Sequence, residues 1–186
     1  LYIVNGKAGA GKDAFCKAVT ELYNTSDPIR GVTRTIHSSD PAKQALKFLR
    51  WDGTKTPEAR QLLATLVNFG QKNGASERLI NSGYKHWRDI VFFQERNPKE
   101  IDHIKALWKS GDILDEACDT FKTILIKRDS GEIEEDIWGI ENYSYDIVIK
   151  NCGTLKDLTK KAKKFMLKED LYNGQTRQYS NCKDCK

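Results

Sequence analysis

The run GKAGAGKD, Gly6 to Asp13, constrains this chain more than any other feature. It follows a short apolar segment, Leu1–Val4, and precedes Lys12–Tyr23, where Phe15, Val19, Leu22 and Tyr23 recur on one helical face. Strand, glycine-rich turn and amphipathic helix in that order fit the pattern G-x-x-x-x-G-K, with Asp13 where serine or threonine is usual. Glycine accepts backbone conformations that turn successive N–H groups inward around an anion, and the following helix adds its positive end. Gly6, Lys7, Ala8, Gly9, Ala10, Gly11, Lys12 and Asp13 therefore form the candidate site for the phosphates of ATP, with Lys12 reaching the β- and γ-phosphates. Two roles suit Asp13: holding Mg2+ through its carboxylate or a water, or capping the helix and favouring its dipole.

The remainder alternates between apolar runs and helical periodicity. Arg34–Ser38 is a weaker strand pattern, after which Asp40 is placed to cap a helix that Pro41 opens. Thr56–Pro57 repeats that device, and Leu62, Leu63, Leu66, Val67 and Phe69 give the next helix an apolar face to bury. Ser76–Arg88 reads as helix, with Gly83 as a weak point. Ile90–Gln94 is a buried strand, Asn97–Pro98 begins a helix running to about Lys109, and Asp112–Cys118 fits a short one. Thr123–Lys127 and Tyr145–Lys150 read as strands, and Thr154–Glu169 as a last helix docking through Leu155, Leu158, Ala162, Phe165 and Met166. Strands separated by helices predict a mainly parallel sheet covered on both faces. One domain is expected over 1–170, with a polar, loosely ordered tail over 171–186.

Composition narrows the classes. With 39% hydrophobic and 31% charged residues the chain can build a core. Its longest apolar runs are far too short to cross a membrane, and five scattered cysteines do not suit a secreted disulfide framework, so a cytoplasmic location is expected. The net charge of +5 equals the local excess between Lys156 and Lys168, which carries six lysines and one acid, Asp157. That is the solvated surface of one helix rather than a nucleic-acid footprint, and neither nucleic acid nor membrane is expected as a partner. His37, His86 and His103 show no metal-ligand or triad spacing, and Cys182-x-x-Cys185 supplies two thiols where a structural zinc site needs four ligands.

Beyond the loop, the series HSSDPAKQALKFLRWDGTKTPEARQLLATL (His37–Leu66), FFQERNPKEI (Phe92–Ile101), TILIKR (Thr123–Arg128) and YDIVIKNCGTLKDL (Tyr145–Leu158) resembles the phage-type deoxynucleoside monophosphate kinases, a branch of the P-loop kinases. The resemblance covers the chain apart from its tail. It implies a three-layer α/β/α P-loop kinase fold with a five-stranded sheet, acceptor-binding helices at about 38–88, and a homodimer. Its implied activity is transfer of a phosphoryl group from ATP, with Mg2+, to a nucleoside monophosphate.

Residues on these segments have chemistry suited to that reaction. Ser38, Ser39 and Asp40 fall at the carboxyl end of the second strand, where open α/β sheets place ligands; capping is the alternative for Asp40. Lys43 either faces the acceptor phosphate or is simply solvated. Arg60 offers a planar guanidinium to an acceptor phosphate, and Lys55 is a lesser candidate. Trp51 either stacks on a base or packs in the core. Arg96 is placed to clamp phosphate between donor and acceptor, Glu95 to be an acidic Mg2+ partner, and Arg128 to approach the donor nucleotide or cover it. Two rival readings are a small-molecule kinase of the dephospho-coenzyme A kinase type and a non-catalytic nucleotide-binding regulatory protein.

Overall fold

The apolar runs pair side by side into one sheet. In the computed structural model, which describes residues 1–24, 31–54, 56–85, 89–114, 120–128 and 139–171, the strands are β1 (Tyr2–Asn5), β2 (Thr33–His37), β3 (Ile90–Gln94), β4 (Lys122–Lys127) and β5 (Ile147–Lys150). They are all parallel, in the order β2-β3-β1-β4-β5, with Ile3 beside Phe93 on one flank and Thr123 on the other. Because β1 is central and the chain builds first to one side and then to the other, loops at the carboxyl end of β1 part in opposite directions. This switch point is the crevice where open parallel sheets receive ligands.

Strand alternation divides the core. Tyr2, Val4, Ile90 and Phe92 face α1 (Lys12–Asn24) and α6 (Leu155–Lys168), where Phe15, Val19, Phe165 and Met166 complete one apolar layer. Leu1, Ile3, Val91 and Phe93 face the other way, packing with Ile80 of α4 (Ala75–Gly83) and Ile101 and Ile104 of α5 (Pro98–Ser110). The result is three layers, helix on sheet on helix, as the alternation of strand and helix patterns predicts. No helix among the described residues is long and apolar enough to cross a membrane.

The caps explain several boundaries. Thr56 accepts from Ala59 N at 3.2 Å and Asn97 from Lys99 N at 3.1 Å, each with proline following. Thr154 and Asp157 form a reciprocal capping box on α6. Gly83 ends α4, where an added Cβ would collide with Ile36 Cδ1, so the glycine permits close packing on β2.

Five expectations need correction. Ser39, not Asp40, is the cap residue of α2 (Asp40–Phe48), and Asp40 lies inside the helix with its carboxylate accepting from His37 N at 3.2 Å. Leu155 is 68% exposed, because the capping turn holds it ahead of the stripe that Leu158 begins. The helix expected over 76–88 stops at Gly83, and β5 starts at Ile147 rather than Tyr145. The apolar face of α3 (Pro57–Lys72) is not buried: Leu62 and Phe69 are exposed and Leu63, Leu66 and Val67 only half-buried. Sequence periodicity gives the stripe but not its partner. Here α3 lies against α2 and α4 instead of the sheet, so little covers it. Lys55, His86, Cys118, residues 115–119 and the tail from 172, with Cys182 and Cys185, lie outside the described residues.

Candidate phosphate-binding site

The site begins where β1 ends. Asn5 is fully buried; its Oδ1 accepts from Gly6 N at 2.7 Å, and its Nδ2 donates to Tyr145 Oη at 2.8 Å and to the Arg96 carbonyl at 3.3 Å. One amide thus fixes the first turn of the loop and the turn after β3 together. Gly6 has φ +147°, and a Cβ there would run into the carbonyl oxygen of Ile126 on β4, so the tight turn admits only glycine. Gly11 likewise has φ +96°, with Asn151 Nδ2 occupying the space of its missing side chain.

Asn151, buried just beyond β5, donates from Nδ2 to the Ala10 carbonyl at 2.8 Å and from its backbone N–H to the Lys127 carbonyl at 2.6 Å. It clamps the far side of the loop to the sheet. Among the described residues the N–H groups of Gly9 and Gly11 have no partner, which leaves them available to an anion. The Phe15 N–H bonds to the Gly11 carbonyl at 2.9 Å, so α1 begins directly at the loop and aims its positive end into it.

Lys12, half-buried, folds back over this ring: Nζ donates to the Gly6 carbonyl at 2.6 Å and the Lys7 carbonyl at 2.9 Å. The ammonium therefore lies across the concave side of the loop, and an anion there would gain a charge-assisted contact that neutral carbonyls match only in part. Lys7 is drawn aside, its Nζ 3.2 Å from Glu141, which also pairs with Lys127 at 2.9 Å. These two lysines hold the Glu141 carboxyl below its ordinary pKa.

Asp13, on the first turn of α1, accepts from Gln94 Nε2 at 2.7 Å and lies 3.7 Å from His37 Nε2. Its side chain is 79% exposed, and Oδ2 has no partner among the described residues. A carboxylate held by one oxygen and open at the other fits a hard cation that keeps most of its waters. Cys16 is buried beneath the loop helix, and burial pushes its thiol up to about 12, which makes it inert.

The remaining sequence candidates divide. Ser38 lies at the carboxyl end of β2, its N–H on the Gln94 carbonyl at 3.1 Å and its side chain near Glu95, where it favours the ionised carboxyl. Ser39 begins α2, and Asp40 and Lys43 pair with each other at 3.2 Å. Arg96 follows β3; its backbone is fixed on both sides, and its exposed guanidinium has no partner among the described residues. Arg128 follows β4, exposed, lining a shallow pocket with Lys7, Lys127, Ile140 and Glu141. Arg60 is exposed on the first turn of α3, and among the described residues no hydrogen bond or ion pair joins its side chain to the loop. Trp51 is half-buried with Nε1 on the Thr54 carbonyl at 2.9 Å, so it staples its own turn rather than filling the core.

Glu95 does not suit the role of metal partner. It is 3% exposed: Oε1 accepts from the Arg96 and Asn97 N–H groups, each at 2.7 Å, and Oε2 from Gln71 Nε2 at 2.7 Å. Burial raises its pKa, against these hydrogen bonds. A carboxylate so engaged has no oxygen to offer a cation. The sequence reading also missed Asn5, Gln94 and Asn151. A signal was present, since each is an amide directly at or after the carboxyl end of an apolar strand, where a polar side chain must find partners.

Neither a family model nor a curated protein matches the chain. Among solved structures it is similar to the unliganded crystal structure of a sugar kinase from Janibacter sp. HTCC2649, at 11% identity and a TM-score of 0.41, covering 91% of this chain and 94% of that one. A likeness at that level carries no argument about activity. The site rests on its own geometry: a glycine loop at the sheet's switch point, crossed by one lysine ammonium.

Proposed function

We propose that the chain transfers the γ-phosphoryl group of ATP, as its Mg2+ complex, to a nucleoside monophosphate, giving the diphosphate and ADP. The observation that supports this most is the position of Lys12 Nζ, across a loop whose Gly9 and Gly11 N–H groups are unpartnered among the described residues. Such a cradle suits a polyphosphate. The acceptor rests on the resemblance, together with Arg96 and Arg128, which follow the carboxyl ends of β3 and β4 on either side of β1.

An acceptor phosphate oxygen is already ionised near neutral pH, so the reaction needs no general base. What it needs is in-line alignment and spread of the developing charge. Lys12 would neutralise the transferring group, and Arg96, anchored through its backbone by Asn5 and Glu95, would bridge donor and acceptor. Ser38, Ser39, Lys43 and Arg60 would meet the monophosphate, and Arg128 the donor nucleotide. Lys55, with Lys7 and the rest of the loop, completes the candidate set. Closure of α2 and α3 over the acceptor would exclude water and prevent idle hydrolysis.

When bound, Mg2+ neutralises and aligns the donor phosphates. Asp13 would hold it, through the carboxylate oxygen that Gln94 leaves open. The Asp13→Asn protein keeps an acceptor oxygen for Gln94 but loses the charge, so its half-saturating Mg2+ concentration should rise about tenfold with the loop intact. Titrating Mg2+ at fixed ATP checks this; an unchanged requirement would leave Asp13 a helix-capping residue only.

The reading is tested by thermal unfolding with ATP and each natural monophosphate in turn. A ligand at 100 times its Kd stabilises the fold by about 2.7 kcal/mol. One or a few monophosphates should raise the midpoint beyond ATP alone. No response to any of them would count against a monophosphate acceptor.

A further inference from the structure

α3 has an odd attachment. Of its sixteen residues the single buried one is not a leucine but Gln71, in the last turn. Its Nε2 donates to Glu95 Oε2 at 2.7 Å, and the other carboxylate oxygen holds the backbone N–H groups of Arg96 and Asn97. The Ser38 side chain lies near the same carboxylate and favours its ionised form. One buried acid therefore joins the turn carrying Arg96 to the carboxyl end of α3. Arg60 lies at the opposite end of α3, about 16 Å along the axis at 1.5 Å per residue.

We infer that the Gln71–Glu95 hydrogen bond is the tether that orients α3, making both residues positioning residues for the acceptor monophosphate. This rests on the proposed function for its substrate, though not for its structural content. With its leucines half-exposed, α3 has little apolar burial to resist rotation. A buried carboxylate must keep its donors, so the polar contact defines a single orientation where hydrophobic packing would allow several. Freed at that pivot, the helix would swing Arg60 away from the position set relative to Ser38 and Arg96. ATP binding would be spared, since the glycine loop is held separately by Asn5 and Asn151.

The test compares Gln71→Leu, Gln71→Asn and the reciprocal double variant Gln71→Glu/Glu95→Gln. Leucine removes the donor, and asparagine keeps the amide but falls one methylene short. The double variant rebuilds the bond with donor and acceptor exchanged, while the position-95 amide oxygen still serves both backbone N–H groups. Either single change should speed hydrogen exchange of α3 amides about tenfold, with β1 and α1 amides unmoved. It should also raise the monophosphate KM about tenfold with KM for ATP changed less than about twofold. The double variant should return both quantities to within about threefold of the starting protein. Unchanged α3 exchange in folded Gln71→Leu and Gln71→Asn proteins would overturn the tether, as would equal loss of ATP and monophosphate binding. If the unaltered chain phosphorylates no monophosphate, the kinase reading falls, and the exchange measurement still decides the tether.

Discussion

Replacing Lys12 with alanine is expected to lower phosphoryl-transfer turnover about 10²- to 10³-fold without unfolding the protein. The ammonium has a specific place, over the Gly6 and Lys7 carbonyls at 2.6 and 2.9 Å. When a phosphoryl group passes from donor to acceptor, negative charge spreads onto oxygens at that mouth, and a fixed cation lowers the barrier more than it lowers the ground state. The fold should tolerate the loss because Lys12 is only half-buried and the loop keeps its clamps at Asn5 and Asn151. Arginine should not rescue, since its wider planar fork cannot replace a point charge above two carbonyls. Comparing kcat with the thermal midpoint separates the effects: turnover should collapse while the midpoint moves less than about 2 °C.

The second large effect is structural. Gly6→Ala should destabilise the protein by about 3 kcal/mol or more, lowering the midpoint by about 6–10 °C, and should abolish ATP binding. Gly6 holds φ +147°, and its added Cβ would strike the Ile126 carbonyl oxygen. That obstacle is backbone in a central strand, which cannot rotate away as a side-chain tip does. The turn must therefore open, and opening it breaks the Asn5 contact and displaces the Lys12 carbonyl partners. Gly9 provides the comparison. It also has a positive φ, +71°, but nothing lies within 4 Å of a Cβ there, so Gly9→Ala carries backbone strain without collision and should be milder. Calorimetry of both variants with and without ATP checks the order.

What the sequence made legible follows from how each signal arises. The loop, the buried strands and the helix starts at Thr56 and Asn97 are encoded within a few neighbouring residues, and the structure carries all of them. The parallel sheet follows from strands spaced by helices. Partners distant in sequence were harder to read. Asn151 lies 141 residues from the carbonyl it holds, and Asn5 lies 91 from Arg96. No local pattern reveals such a pairing, although amides at the ends of apolar strands hint that something must satisfy them. Glu95 shows the opposite failure: an acid at a strand end suggests a metal, and only the three-dimensional placement shows that its oxygens serve Arg96, Asn97 and Gln71. For α3, the leucine stripe promised burial that depends on what the fold places opposite it.

The central claim is that the Lys12 cradle delivers a phosphoryl group to a nucleoside monophosphate. Its most direct test is to incubate the protein with γ-labelled ATP, Mg2+ and each ribo- and deoxyribonucleoside monophosphate, then separate the products. Label is expected in the diphosphate of one or a few monophosphates, in equal amount to ADP formed, and should be lost in the Lys12→Ala protein. Release of label only as inorganic phosphate, or no transfer to any acceptor, would contradict it.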